Sequence, residues 1–167
     1  MLPLPKALHG HAKRIDHLAI AVRDLEAAVA HYQEVLGLPL VERRETRGRS
    51  TAMRSAVMQD GDLTMVLLEG IGAESQVSRY IQEYGPGVHH IAIEVDGVAR
   101  AVEALSGNGL RFATGVIRGD GLDQAFTERD PVSGVMFELV QRTGERAGFQ
   151  DDNVQGLFEE LEARGAF

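Results

Sequence analysis

One segment of this chain occurs twice, and that repeat limits what it can fold into more than any other feature. His17-Leu-Ala-Ile-Ala-Val-Arg-Asp-Leu-Glu-Ala-Ala-Val29 lies 73 positions before His90-Ile-Ala-Ile-Glu-Val-Asp-Gly-Val-Ala-Arg-Ala-Val102, and six of the thirteen positions are identical. Shared alanine and valine carry little weight in a chain that is 44% hydrophobic. A histidine matched in the same register carries more. An internal repeat means that each copy is one supersecondary unit that buries its open face against the other.

Each copy reads as a strand, a helix and further strands. Residues 14–22 alternate and are β-branched, as a strand requires. Asp24 is placed as an N-cap, and Leu25, Ala28, Val29, Tyr32, Val35 and Leu36 form one apolar helical face that stops at Gly37. Strands are expected near 39–46, 51–59 and 63–69, the last two joined at Asp60-Gly61-Asp62. A helix over 74–84 leads into the second copy: a strand at 88–95, a helix at 97–106, and strands near 111–118, 121–128 and 135–142. Gln150 to Arg164 then puts Val154, Leu157, Phe158 and Leu161 on one helical face. The expected fold class is α+β, with two βαβββ modules forming one cupped mixed sheet under a C-terminal lid helix. The expected organisation is an N-terminal tail at 1–13, paired modules over 14–148 (about 14–70 and 88–142, linked by the helix at 74–84), and a C-terminal helix within 149–167.

Composition narrows the chemistry. The 167 residues include no cysteine, which removes disulfides, thiolate zinc sites, Fe–S clusters and a Cys nucleophile. A net charge of −8 opposes binding to a phosphate backbone, so no nucleic acid partner is expected. No apolar run approaches the roughly 20 residues that span a bilayer, and the first residues have no signal-peptide core. A cytoplasmic protein that contacts no membrane is the expectation. Histidine and carboxylate remain as the chemical groups to place.

A pseudo-twofold arrangement brings the first strand of each copy to the middle, so His17 and His90 face each other. A third ligand follows from continuing the repeat at an offset of 72, where Val135-Met-Phe-Glu138-Leu-Val-Gln141 aligns with Leu63-Thr-Met-Val66-Leu-Leu-Glu69. A lone carboxylate inside Met136-Phe137-Glu138-Leu139-Val140 costs several kcal/mol unless it is neutralised. A metal ion would neutralise it. The first copy has Val66 there, which cannot ligate, and Glu69 falls on the opposite strand face. Two histidines and one carboxylate with open positions favour non-haem Fe(II) and oxygen. A single buried histidine is more often a hydrogen-bonded core residue, so the weight rests on the three together. His89, one residue from His90, is expected to face the other side. His31 is read as surface or helix packing, and His9 and His11 as part of the tail. Arg43-Arg44-Glu45-Thr46-Arg47-Gly48-Arg49 reads as a solvated strand edge, or as an anion-steering lip.

At these residues the sequence resembles the vicinal oxygen chelate superfamily of glyoxalases, bleomycin-resistance proteins, epimerases and dioxygenases. Ile15-Asp-His17-Leu-Ala and His89-His90-Ile-Ala-Ile-Glu-Val are signals at the level of the superfamily. Gln124-Ala-Phe126-Thr127, Phe137-Glu138-Leu-Val-Gln-Arg142 and Gly148-Phe149…Asn153-Val-Gln-Gly-Leu-Phe158 are most similar to the catalytic half of 4-hydroxyphenylpyruvate dioxygenase. The resemblance implies that His17, His90 and Glu138 bind Fe(II), with Co, Mn, Ni or Zn as other divalent choices. It places Gln124, Phe126, Phe149, Asn153 and Phe158 at the substrate. It further implies a dioxygenase or oxygenase acting on a 2-oxo acid or related chelating molecule with O2. A homodimer is expected, because the family's enzymes carry a second pair of modules. Val154 stands where the family carries an aromatic residue, which argues against hydroxyphenylpyruvate itself as the substrate. The rival readings are a divalent-metal epimerase, isomerase or lyase of the methylmalonyl-CoA epimerase or glyoxalase type, and a metal-free small-molecule-binding resistance protein.

Overall fold

Eight strands form one curled mixed sheet in the order β2-β3-β4-β1-β5-β8-β7-β6. A computed structural model of the chain describes residues 8–119, 121–144 and 151–165. The strands are β1 (Ala12–Ala21), β2 (Leu40–Arg47), β3 (Ala52–Asp60), β4 (Leu63–Ile71), β5 (Gly87–Val95), β6 (Ile117–Gly119), β7 (Leu122–Phe126) and β8 (Met136–Arg142). The helices are α1 (Leu25–Leu36), α2 (Gln76–Tyr84), α3 (Val98–Gly107) and α4 (Asp151–Arg164). The two copies meet at the central antiparallel pair β1–β5, and each first strand runs parallel to the last strand of its own copy, β4 or β8. The α+β fold expected from the repeat is the observed one. No helix among the described residues is long and apolar enough to cross a membrane.

Local chemistry fixes the elements, and one device recurs in both copies. Asp24 caps α1 by accepting from the Ala27 amide, and Gly37 ends that helix at φ 69°, a left-handed conformation that glycine adopts without strain. The Glu69 carboxylate at the end of β4 accepts from Leu25 N at 2.9 Å, and its repeat partner Gln141 on β8 accepts from Val98 N at 3.1 Å. Each last strand thus satisfies an orphan amide at the start of its module's helix. Glu69 therefore lies on the helix side, as strand alternation requires. At the hairpin between β3 and β4, Asp60 pairs with Leu63, and Gly61 supplies the positive φ of 55°.

The convex face of the sheet is covered by α1, packed on Ala56, Met58 and Leu67, and by α3, packed on Val95, Ala125 and Leu139. The concave face is lined by Ala19, Val57, Val66 and Leu68 and closed at one end by Val77, Tyr80 and Ile81 of α2. Leu161 of α4 packs on Ala113, Phe126 and Met136. One expected strand is curtailed. In place of residues 111–118, only Ile117–Gly119 and a lone bridge from Phe112 to Thr127 pair with the sheet. The amides of Ala113 and Thr114 both point to Phe126 O, and Thr114 Oγ1 accepts from Phe126 N at 2.9 Å. A threonine hydroxyl has taken a ladder position, which breaks the strand.

Candidate metal centre

Two β-bulges in the central ladder set the geometry of the concave face. Ile15 pairs with Ile93 and His17 with Ala92, so Asp16 is an extra residue; Ala19 pairs with His90 and Ile20 with Val88, so His89 is another. A bulge re-aims the side chain that alternation would send to the far face. The expectation for His89 is corrected on this point. It is buried, it lines the same cavity as His90, and the two Nδ1 atoms lie 2.9 Å apart. The bulges are related by the repeat, because each precedes a matched histidine by one residue.

His17, Ala92 and Glu138 form one row across β1, β5 and β8. His90 stands two residues from Ala92 on the same side. His17 Nε2 is 3.1 Å and His90 Nε2 3.5 Å from the same Glu138 oxygen, and one ligand atom from each of the three lies within 4.8 Å of the others. The three are 3%, 8% and 2% exposed, respectively, which places a carboxylate in the interior with no Lys or Arg partner among the described residues. The donor set fits a divalent ion. Both imidazoles turn Nε2 toward the carboxylate, and each has its Nδ1 engaged by a neighbour, as metal-bound histidines do. On the other side of the pseudo-twofold, Val66 pairs with Ala19 as Glu138 pairs with Ala92, so the fourth position holds a hydrocarbon.

The charges around the site explain how it is held. Asp16 accepts from His17 Nδ1 at 2.9 Å and receives two hydrogen bonds from Arg142, both at 2.8 Å. Burial raises the Asp16 carboxyl pKa, but these bonds outweigh it and hold it well below the usual carboxylate range. Burial likewise lowers His17, yet the facing Glu138 and the Asp16 bond push it up to about 9. In His90 the same burial goes unopposed and, with His89 and His17 adjacent, moves the pKa well down. The two rings shift in opposite directions because one proton suffices for one carboxylate, and the ring nearer to it and backed by Asp16 takes it. Burial and Arg129 lower His89 to about 3.

Above the three side chains lies a cavity of about 790 Å³, part of it open to solvent, within the size range of small-molecule sites. Its walls are mostly apolar: Met53, Val57, Val66 and Leu68 from the sheet, with Val154, Leu157 and Leu161 from α4. Of the residues expected at the substrate, Gln124, Phe126 and Phe158 line it. The Phe126 ring stands edge-on to His90 with centroids 5.0 Å apart. Phe149 lies outside the described residues, and so does the side chain of Asn153. The helix is fastened to both modules. Glu162 accepts from the amides of Arg49, Ser50 and Thr51 and from Ser50 Oγ, and Glu160 accepts from Gly115 N at 2.8 Å.

Some lining residues lay beyond the sequence reading. Gln76 of α2 reaches the cavity and donates to Phe158 O at 3.4 Å. The basic run is divided by strand alternation: Arg43 pairs with Glu26 at 2.5 Å on the outside, whereas Arg44 pairs with Glu42 on the cavity wall. Asp16 and Arg142 lie within the superfamily-like motifs, but their pairing is visible only in the fold. Extending the repeat one residue before each histidine would have flagged Asp16 and His89 together.

Comparison with known proteins places the fold in a family. The family model for the Glyoxalase/Bleomycin resistance protein/Dioxygenase superfamily matches residues 14–139. The mitochondrial methylmalonyl-CoA epimerase of Homo sapiens is 31% identical over 131 residues, spanning 77% of this chain and 73% of that protein. A mutant of 4-hydroxymandelate synthase from Streptomyces coelicolor superposes with a TM-score of 0.80 at 23% identity, covering 93% of this chain and 55% of that one. The methylmalonyl-CoA epimerase of Mycobacterium tuberculosis gives 0.69 at 24% identity, covering 86% and 95%. At these identities the two superpositions speak to the fold.

Proposed function

Because the chain belongs to the Glyoxalase/Bleomycin resistance protein/Dioxygenase superfamily, we propose that it is a metal-dependent oxygenase in which His17, His90 and Glu138 hold Fe(II). Its substrate is a 2-oxo acid or a related chelating small molecule, with O2 as co-substrate. The observation that carries this reading is Val66. A fourth side-chain ligand would occupy a position that a chelating substrate and O2 need, and a valine leaves it open. When bound, the ion supplies Lewis acidity and, as iron, a route for O2.

The chain's own residues do the rest. Asp16, clamped by Arg142, holds His17 in the tautomer with Nε2 free to ligate. Phe126 fixes the plane of His90 from the side. The apolar walls and α4 keep bulk water from the reacting atoms, which strengthens each electrostatic contact inside. Gln124 offers an amide, and Phe158 a ring, to the body of the substrate. Fe(II) and a 2-oxo acid added without air are expected to give a visible charge-transfer band, and admitting air to start oxygen consumption. No band and no oxygen uptake across aryl and alkyl 2-oxo acids overturns the reading.

A second reading, a metal-dependent epimerase, is favoured by the 31% identity to the human epimerase. That chemistry needs a group to move a proton beside the ion. Apart from Glu138, the one carboxylate among the described residues that lines the cavity is Glu42, held by Arg44. Turnover with Co(II) or Mn(II) in the strict absence of air, lost in Glu42→Gln, would select this reading.

A further inference from the structure

The basic run on β2 has one member inside the cavity. Glu42 and Arg44 line it, while Arg43, Glu45 and Arg47 stay exposed. Among the described residues of the cavity wall, Arg44 is the one Lys or Arg. Its side chain is 15% exposed and that of Glu42 32%, against 42% and 70% for Arg43 and Arg47. A surface pair contributes little, whereas a pair partly withdrawn from water into an apolar wall carries a desolvation cost. Its place in the sheet points to what offsets that cost. Glu42 heads a cross-strand row that passes Val57, Val66 and Ala19 to His90. Four strand spacings, roughly 19 Å along the sheet, separate β2 from β5. The ligands and the ion pair line the same cavity, and their side chains and the curl of the sheet shorten the span between them to the length of a small molecule.

Charge balance defines the group that the pair takes. At one end of the cavity a divalent ion, the Glu138 carboxylate and the carboxylate of a chelating 2-oxo acid cancel. At the other end Arg44 and Glu42 cancel. A second charge on the substrate would meet a like charge in one member of the pair and stay uncompensated against Met53, Val57 and Leu68. A wholly apolar end would strip water from the pair and return nothing. A neutral group that both accepts and donates satisfies both members, because a guanidinium has five N–H donors and a carboxylate about four lone-pair sites. We propose that Arg44, held by Glu42, is a specificity-determining residue that recognises a neutral carboxamide or hydroxyl at the end of the substrate remote from the ion. Arg44 donates to the oxygen of that group, and Glu42 accepts its N–H or O–H. This rests on the reading of the site as one that holds a metal and a chelating 2-oxo acid.

Binding to the zinc-loaded protein is compared for phenylpyruvates that carry a carboxamide, a carboxylate or an isopropyl group on the ring, in meta and para series. The three groups have nearly one shape and differ in charge and hydrogen bonding. In at least one series the carboxamide is expected to bind wild type about tenfold tighter than either isostere. Arg44→Met keeps an unbranched apolar stem and is expected to erase that preference, with the isopropyl compound within about threefold of its wild-type affinity. Glu42→Gln removes the carboxylate beside the guanidinium and is expected to turn the preference to the charged isostere. A wild type with no carboxamide preference in either series overturns the proposal, and so does a preference that survives in either variant. Benzamide carries the end group without the chelate, and its test needs no variant. Titrated into 15N-labelled, zinc-loaded wild type, it is expected to shift the Arg44 Nε–H resonance. An unmoved Arg44 signal up to the solubility limit overturns the proposal, whether or not any 2-oxo acid binds. If none of the phenylpyruvates binds and benzamide shifts Arg44, the 2-oxo acid reading alone fails. If zinc binds equally well after His17→Ala, His90→Ala and Glu138→Ala, the metal reading itself fails.

Discussion

Replacing Glu138 with glutamine changes stability in opposite senses with and without metal. The carboxylate is 2% exposed, and its ion-pair partners among the described residues are the two imidazoles. Without an ion, this charge is an interior cost of several kcal/mol, offset in part by protonating His17. The isosteric amide removes the charge, so metal-free Glu138→Gln is expected to melt at or above the wild-type temperature. With an ion at 100 times its dissociation constant, wild type gains about 2.7 kcal/mol. For a chain of this size each kcal/mol moves Tm by about 2–4 °C, so loading raises wild-type Tm by about 5–11 °C. The variant keeps two neutral ligands. If its affinity falls about 100-fold, the gain at the same ion concentration shrinks to about 0.4 kcal/mol, roughly 1 °C. Thermal unfolding by circular dichroism, with chelator and then with Zn(II) or Fe(II), reads both numbers. A variant that melts well below wild type without metal, yet shows the full metal-induced rise, refutes the reasoning: Glu138 would then be a structural residue.

Three further outcomes follow from the same geometry. Arg142→Ala strands the buried Asp16 carboxylate and is expected to cost about 3–5 kcal/mol in chemical denaturation; a loss under 1 kcal/mol would mean that Asp16 is stabilised elsewhere. Val66→Glu restores a carboxylate at the pseudo-symmetric position, so the metal-free variant should be destabilised by several kcal/mol and recover on adding Zn(II); no recovery would place position 66 out of reach of the ion. The Ser50 hydroxyl, and after it the backbone amides, hold the Glu162 carboxyl below its ordinary pKa against burial, so its contribution is present above the unfolded-state value and lost as pH falls through the folded one. Acidification, or Glu162→Gln at neutral pH, should speed amide exchange in α4 about tenfold, and an unchanged α4 would show that Glu162 does not fasten it.

The histidine pair was legible because a repeat preserves register. His17 and His90 occupy the same position in two copies, and antiparallel pairing of the two first strands brings them to one side of the sheet. Glu138 was legible because a carboxylate inside an apolar strand has to be neutralised, and Val66 because the same alignment shows what the first copy lacks. The α4 face was visible in the spacing of Val154, Leu157, Phe158 and Leu161. The curtailed strand at 111–118 was not visible, since a threonine side chain that replaces a ladder bond leaves hydrophobic alternation unchanged. His89 was misread for a related reason. Period-two alternation assumes a regular strand, and a bulge adds one residue and re-aims it.

The sequence by itself determined the two-module α+β architecture and the identity of the three converging groups, because periodicity, repeat register and the cost of burying charge are local properties of the chain. Only the tertiary structure decided which second residue supports each histidine, that Arg44 turns to the cavity while Arg43 turns away, and that Glu162 ties the last helix to the loop at 49–51. Those contacts join positions up to 126 residues apart, as Asp16 and Arg142 are, and they depend on bulges and loop amides whose geometry exists only once both modules share one sheet.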